Sequence, residues 1–167
     1  MRRSECALAT RIQLLTTHYW RRRAARNVTV AEKEQQLAEE LLAIPDRQER
    51  MGVLVDRARR APKLDATERT PANRVEGCSS AVWLAAEVRD GLFRIRGDAE
   101  APMVKAFVHL LCLLYDGNRP ADIAATNTTL FEKIELLNEL SPTRRNGLLA
   151  IRARIRRTAA KLAEGQP

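Results

Sequence analysis

Apolar residues recur at helical spacing in the part of the chain that follows residue 30. Leu37, Leu41 and Ile44 lie on one face of a helix that Pro45 ends. Asp46 is a favourable N-cap for the next helix, because its carboxylate can accept a hydrogen bond from a backbone N–H in the first turn. The pattern therefore predicts two amphipathic helices, one on each side of this proline.

The spacing then changes to the alternation that is typical of a β-strand. One face of the predicted strand carries four apolar side chains: Val82, Leu84, Ala86 and Val88. Asp90 and Gly91 favour a tight hairpin turn, because glycine tolerates a positive φ, and residues 92–96 return as a second strand. We expect residues 97–98 to close the hairpin, and residues 73–76 can pair as a short third strand.

The remaining elements are helical. Residues 101–116 are apolar on all sides, which predicts a helix at the buried centre of the fold, and residues 130–140 predict another helix. Ser141 and Pro142 begin a long last helix as its N-cap and first-turn proline. The apolar stripe of that helix is Leu148, Ile151, Ile155, Ala159 and Leu162. Together these elements predict an α+β fold, a small antiparallel sheet (a hairpin around residues 80–96) covered by helices.

The composition fits one domain with a solvated surface. The chain has 167 residues, of which 45% are hydrophobic and 30% are charged, enough for a single core. Three cysteines, an odd number, argue against a disulfide framework and for a reducing compartment. No apolar run approaches the roughly 20 residues that cross a bilayer. We therefore expect no membrane partner and a cytoplasmic protein, or an organellar one if residues 1–30 are a transit peptide.

The net charge of +8 is concentrated at the N-terminus. Residues 1–30 hold seven arginines and one acidic residue, which leaves only +2 for the rest of the chain. We therefore divide the chain into an arginine-rich tail at residues 1–30, disordered or not part of the fold, and a single domain at residues 31–165. We interpret a row of arginines on the last helix as a solvated face: Arg152, Arg154, Arg156 and Arg157. Because interleaved aromatic residues and a recognisable module are missing from the sequence, we expect no nucleic-acid partner.

The candidate chemistry centres on Cys78, which follows Gly77 in a turn before the apolar strand. Thiolate is the nucleophilic form of cysteine, and a free cysteine has a pKa of about 8.5, so only a small share is ionised at neutral pH. Arg74 nearby, or Arg144 brought in by the fold, can raise that share. From the local pattern alone, a small buried cysteine before a strand is the competing interpretation, since free cysteine is often buried.

Other polar residues near this motif are candidates for supporting roles. Ser79 and Ser80 can donate hydrogen bonds to a thiolate or a persulfide. Asp98 and Glu100 follow the second strand, either as a charge pair at a helix N-terminus or as surface contacts for a basic partner. Cys112, within the apolar helix, is interpreted as a core residue. No two cysteine or histidine residues have metal-ligand spacing, so the pattern predicts no metal site.

Four motifs, in order along residues 73–160, resemble those of the SufE family of sulfur acceptors, which includes the paralogue CsdE. They are Arg74-Val75-x-Gly77-Cys78-x-Ser80-x-Val82-Trp83; Gly97-Asp98-Ala99-Glu100-Ala101 with Val104-Lys105; Leu114-Tyr115-Asp116 with Pro120-x-Asp122-Ile123 and Phe131-Glu132-Lys133; and Leu140-Ser141-Pro142-Thr143-Arg144-x-x-Gly147-Leu148. The departures are mild: Glu100, Ala106, Leu130 and Thr143 stand where the family has an aspartate, a glycine, an aromatic residue and a serine. The motifs fit the SufE and CsdE types alike.

The resemblance implies a SufE/IscU-like fold and a function in iron–sulfur cluster assembly. In that family, a cysteine desulfurase (SufS/CsdA-like) that uses pyridoxal phosphate strips sulfur from cysteine and holds it as a persulfide. The acceptor thiol, matched by Cys78, is sheltered in an apolar pocket until the desulfurase draws its loop out. The acceptor protein then takes the sulfur onto this thiol, stimulates the desulfurase and delivers the sulfur to a cluster scaffold. The pyridoxal phosphate belongs to the partner, so the resemblance implies a sulfur carrier without a cofactor of its own, not a free-standing enzyme.

The resemblance also assigns site residues. Cys78 is the catalytic residue, and a set of neighbours is implied in partner binding or thiol orientation: Arg74, Gly77, Ser79, Asp98, Glu100 and Arg144. Two other classes of function compete with this interpretation. One is an iron–sulfur scaffold or metal-binding protein of related fold, which would need several ligands that converge on one site. The other is an adaptor without thiol chemistry that binds acidic partners or nucleic acid through the arginine-rich helix.

Overall fold

The computed structural model describes residues 28–137 and 140–165. Residues 1–27, which hold most of the predicted arginine-rich tail, lie outside the described residues. The assignment of residues 31–165 to a single domain stays a prediction. Within the described ranges, no helix is both long enough and apolar enough to cross a membrane.

The order of elements along the chain follows the predicted α+β pattern. In sequence they are α1 (Val30–Leu42), α2 (Arg47–Arg60), a 3-10 turn (Pro71–Asn73), β1 (Val82–Arg89), β2 (Leu92–Ala99), α3 (Pro102–Tyr115), α4 (Pro120–Ala125), α5 (Leu130–Lys133) and α6 (Pro142–Glu164). The two strands form an antiparallel sheet, with Val82 opposite Ala99 and Arg89 opposite Leu92. The predicted fold class is therefore confirmed.

Side chains cap the predicted helices at the expected positions. The carboxylate of Asp46 accepts a hydrogen bond from the Glu49 N–H at 2.8 Å, and the hydroxyl of Ser141 accepts one from Arg144 at the start of α6. An unpredicted capping box begins α1, where the Thr29 and Glu32 side chains each accept a hydrogen bond from the other residue's backbone N–H. Side-chain acceptors thus satisfy N–H groups that have no partner within these helices.

The hairpin differs from the prediction at the end of β2 and in the segment that precedes β1. Its turn is as expected, with Asp90 and Gly91 both at positive φ, 54° and 72°. Strand β2 continues to Ala99, however, so residues 97–98 pair within the sheet and do not close the hairpin. The third strand predicted at residues 73–76 is also wrong, because that segment makes a single isolated bridge, Arg74 to Trp83.

Helix α3 forms the buried centre, as its apolar composition predicted. Phe107, Val108 and Leu111 are among its buried residues, and the helix packs against both α2 and β2. The helix predicted at residues 130–140 begins at Leu130 as expected, but α5 already ends at Lys133, so the predicted length was wrong. Glu135 adopts a left-handed conformation with φ of 59°, which the right-handed helix cannot continue through.

The arginine row of α6 is not a solvated face, and this prediction was wrong for three of its four residues. They donate hydrogen bonds to backbone carbonyls of neighbouring segments: Arg152 to Thr128 in the loop after α4, Arg154 to Ala72 in the 3-10 turn and Arg156 to Ala124 at the end of α4. The sequence pattern could not reveal these bonds, because the acceptors are backbone oxygens that any residue carries. The long helix therefore holds the end of α4 with the loop that follows it, and also the 3-10 turn that leads toward Cys78.

Gly97 lies at a point where the sheet and α3 are in very close contact. A Cβ at this position would lie 2.9 Å from Leu84 Cδ2 and closer still to Val108 Cγ1. We expect Gly97→Ala to lower the free energy of unfolding by about 1–3 kcal/mol, because a packed interior must shift to accept the added carbon. Urea unfolding followed by circular dichroism measures this change.

Gly52, in α2, is the matched control, since a Cβ there meets nothing within 4 Å. Gly52→Ala should raise the free energy of unfolding by roughly 0.5–1 kcal/mol, because alanine is the better helix former. Equal effects of the two substitutions would contradict the proposed close packing at Gly97.

Candidate functional site

The loop that carries Cys78 is fastened at both of its ends to the hairpin. On the N-terminal side, the Val75 N–H donates to the Val82 carbonyl at 2.9 Å. On the C-terminal side, Glu100 donates from its backbone N–H to the Ala81 carbonyl at 3.1 Å. The Ser80 hydroxyl accepts a hydrogen bond from the Ala101 N–H at 3.3 Å. The hydroxyl predicted to serve the thiol therefore helps to fix the backbone.

The tip of the loop lies against helix α6. Gly77 adopts φ of 82°, a conformation that side chains rarely permit, and a Cβ there would lie 3.5 Å from the Cβ of Ala150. Glu76, Gly77 and Ser79 are exposed, whereas Cys78 is partly buried. The turn thus presents its backbone to solvent and its thiol to the helix.

The Cys78 thiol donates a hydrogen bond to a backbone carbonyl of α6. Its Sγ lies 3.3 Å from the oxygen of Gly147. Gly147 leaves room for this contact, since even a Cβ there would lie 3.6 Å from the sulfur. A carbonyl oxygen accepts an S–H bond but repels a thiolate, so this partner favours the protonated form.

Burial raises the pKa of the Cys78 thiol above its ordinary value. The expectation that Arg74 or Arg144 would increase the ionised fraction is therefore not met in this conformation. Arg74 is exposed and forms the isolated bridge to Trp83. The resting thiol is held as a weak nucleophile.

A pocket beside the sulfur is apolar inside and polar at its rim. Its apolar lining consists of Val104, Phe107, Leu148 and Ile151, together with Gly147, and its polar lining consists of Ser79, Ser80, Thr143 and Arg144. The structure thus brings three of the predicted site residues, Cys78, Ser79 and Arg144, to one pocket. Helices α3 and α6 supply the walls, and the start of α6 supplies the rim.

Asp98 is buried within β2, so of the two alternatives left open for it, a charge at a helix N-terminus or a surface contact for a basic partner, the surface contact was wrong. Its side chain is 2% exposed and pairs with Arg69 at 2.6 Å and with Lys105 at 2.7 Å. It also accepts a hydrogen bond from the Ala99 N–H at 2.9 Å. Burial by itself would raise the pKa of this carboxyl, but the bonds from Lys105, Ala99 and Arg69 hold the pKa below its ordinary value. Glu100, two residues later, is exposed as expected.

Two residues have roles at this site that the sequence did not assign. Gly147 supplies the acceptor for the thiol, and its place in the motif that begins α6 was the available signal. Arg69 lies in a polar loop whose pattern carries no sign of a buried carboxylate partner. Cys112 is buried in α3 as predicted, and burial and the nearby Asp116 raise the pKa of its thiol to about 12.

A known protein family matches the part of the chain that builds this site. The family model, described as "SufE: Fe-S metabolism associated domain", matches residues 35–159. The chain belongs to the SufE family. A role in iron–sulfur metabolism follows from this membership.

A solved structure has the same fold as this SufE-family chain. It is the solution structure of a hypothetical protein from Thermus thermophilus, with 24% sequence identity and a TM-score of 0.67. The match covers 80% of this chain and 97% of the other. Across residues 28–137 and 140–165, no three histidine, cysteine, aspartate or glutamate side chains converge as a metal site would require.

The buried thiol leads to a prediction about pH. Because burial raises the pKa of Cys78, alkylation by iodoacetamide should reach half its maximal rate at a higher pH in the native protein than in concentrated urea. The same shift stabilises the native state below the ordinary thiol pKa, and this contribution is lost as the pH rises through the native value. Peptide mass spectrometry can follow Cys78 separately. An equal or lower midpoint in the native protein would contradict the sheltered thiol.

Gly147 offers a second test of the same contact. Gly147→Ala should leave Cys78 sheltered, because the added Cβ makes only an ordinary contact with the sulfur. Gly147→Leu needs the space that the thiol occupies, so we expect alkylation of Cys78 to become about tenfold faster or more. Circular dichroism serves to show that both variants stay folded. Equal protection in the two variants would mean that this contact does not shelter the sulfur.

Proposed function

We propose that this protein accepts persulfide sulfur on Cys78 from a cysteine desulfurase, stimulates that enzyme and delivers the sulfur for iron–sulfur cluster assembly. The observation that best supports the proposal is the position of the thiol. It lies at the mouth of an apolar pocket, on a loop tip, and it donates a hydrogen bond to the Gly147 carbonyl. A nucleophile held in this way is protected at rest and is released by a short movement of the tip.

The transfer step is a thiol exchange on sulfur. The desulfurase presents a persulfide, and the Cys78 thiolate attacks its terminal sulfur. The S–S bond of the donor breaks, a new S–S bond forms on Cys78, and the donor cysteine leaves as a thiolate. The number of S–S bonds is unchanged, so no external oxidant or reductant takes part. The rate depends on the thiolate fraction of Cys78 and on access to its sulfur.

Release of the thiol from α6 is the activating event in this proposal. Against the Gly147 carbonyl and the apolar wall, the thiol keeps its proton. Once the sulfur moves outward, its pKa falls back toward the ordinary value, and a larger share of the thiol loses its proton to solvent. Arg144 lies at the pocket rim, where its guanidinium can stabilise the thiolate or the persulfide anion. The partner therefore has to favour the outward position of the loop, and the binding energy of the complex is the source of that preference.

The exposed residues around the loop form the surface that we assign to the desulfurase. Arg74, Glu76 and Ser79 flank the thiol on the chain, and Glu100 follows the end of β2. Charges of both signs at an interface select the partner and its orientation more than they add affinity. The pyridoxal phosphate of the reaction belongs to the partner, and this chain contributes the acceptor thiol.

Cys78→Ser tests the proposal directly. Added to the desulfurase from the same organism, the wild type should increase sulfide release from cysteine in the presence of a thiol reductant. The serine variant should give no stimulation, because a hydroxyl cannot accept the sulfane sulfur. Mass spectrometry should also find a gain of one sulfur atom on Cys78 of the wild type.

Cys112→Ala is the matched control, since it removes a buried thiol outside the pocket lining and should keep the stimulation. Equal stimulation by the wild type and Cys78→Ser would exclude sulfur transfer and leave an adaptor. An adaptor that binds nucleic acid would also show steeply salt-dependent binding. Metal or cluster bound in stoichiometric amount, and lost in Cys78→Ser, would instead favour the scaffold function.

A further inference from the structure

Asp98 joins three separate segments of the chain near the Cys78 loop. Its carboxylate pairs with Arg69 in the loop after α2 and with Lys105 in the first turns of α3. Arg69 also lies over the ring of Trp83, 5.4 Å from its centroid, and Trp83 is opposite Asp98 in the hairpin. One buried carboxylate thus holds a loop, a helix start and the end of the sheet together.

The ion pair between Asp98 and Arg69 fixes the segment that precedes the Cys78 loop. Arg69 is followed at once by Thr70, whose hydroxyl caps the 3-10 turn by accepting from Asn73 at 3.3 Å. The side-chain amide of Asn73 donates a hydrogen bond to the backbone carbonyl of Glu68 at 2.7 Å. Residues 68–73 therefore form one closed unit, which two ion pairs fasten to β2: Asp98–Arg69 at its buried side and Glu68–Arg96 at its exposed side.

The ion pair between Asp98 and Lys105 fixes one wall of the pocket. Lys105 lies between Val104 and Phe107 on α3, and both of these apolar residues line the pocket beside the Cys78 sulfur. The C-terminal end of the loop is held at the same place, by the Ser80 bond from Ala101. Asp98 therefore acts on both ends of the loop through Arg69 and Lys105, neither of which lines the pocket.

We propose that Asp98 is a positioning residue that confines the movement of the acceptor loop to residues 76–79. The two ends of the loop stay fastened to the hairpin, and the tip alone leaves the pocket. Among the described residues, the thiol–carbonyl bond of Cys78 holds the tip to α6, and Gly77 lies beside Ala150 with room for no more than an ordinary Cβ contact. A desulfurase then needs to break few contacts to expose the sulfur, and the sulfur returns to the same place afterwards. This role rests on the proposed sulfur transfer.

Asp98→Asn tests the proposal on the protein alone. The substitution keeps the size of the side chain but removes the charge that holds Arg69 and Lys105. We expect alkylation of Cys78 by iodoacetamide to become about tenfold faster, because the loop ends are released. Cys112, buried in α3, reports on global unfolding in the same sample, and its alkylation should stay as slow as in the wild type. Peptide mass spectrometry separates the two sites.

Arg89→Gln is the matched control. It breaks an ion pair between Arg89 and Glu87 at the far end of the same hairpin, where both side chains are exposed. This variant should leave alkylation of Cys78 unchanged. If Asp98→Asn fails to fold, Arg69→Gln tests the proposal in its place. This variant removes only the Asp98–Arg69 ion pair, at a residue that is partly exposed, and it should also speed alkylation of Cys78. Unchanged alkylation in a folded variant, or a parallel rise at Cys78 and Cys112, would overturn the proposal.

Stimulation of the desulfurase separates this inference from the proposed function. If Cys78→Ser still stimulates the enzyme, sulfur transfer fails, while the alkylation result on Asp98→Asn stands by itself. If sulfur transfer holds and Asp98 positions the loop, Asp98→Asn should change the concentration of protein needed for half-maximal stimulation more than the maximal rate. An equal loss of stimulation in Asp98→Asn and Arg89→Gln would contradict a specific role for Asp98.

Discussion

The close contact between the hairpin and helix α3 supports every other part of this structure. A two-stranded hairpin is marginally stable in water by itself, so its apolar face has to be covered. Helix α3 packs on strand β2, and it comes close because Gly97 has no side chain. The same helix also packs on α2. The pocket beside Cys78 exists because this central layer places the start of α3 next to the end of the hairpin.

The elements of the centre could be predicted from the sequence, because their signals are local. The apolar composition of α3, the Asp90-Gly91 turn and the caps at Asp46 and Ser141 depend only on neighbouring residues. The errors arose where distant contacts decide the structure. Strand β2 runs on through Gly97, where α3 packs closely, and α5 ends at Lys133, two residues before Glu135, whose backbone is left-handed.

The sequence indicates the central residue of the candidate site but not the residues that support it. The glycine–cysteine turn and the family motifs pointed to Cys78, and the structure places Ser79 and Arg144 at the same pocket. The acceptor of the thiol hydrogen bond is a backbone carbonyl, which the pattern of side chains in the sequence cannot reveal. The local pattern around Asp98 indicates a charge at a helix end or on the surface, because Arg69 and Lys105 are brought to it only by the fold.

The thiol and the carbonyl that shelters it are 69 residues apart in the chain. A ribosome therefore releases the cysteine loop and the hairpin well before it makes the helix that covers the sulfur. Since domains fold as they emerge, the nascent chain passes through a stage in which this thiol has no partner and meets the oxidants and electrophiles of its surroundings. Protection of the cysteine is thus completed late in synthesis. A chain cut short before α6 would carry the same cysteine as an ordinary exposed thiol, open to damage and to mixed disulfides.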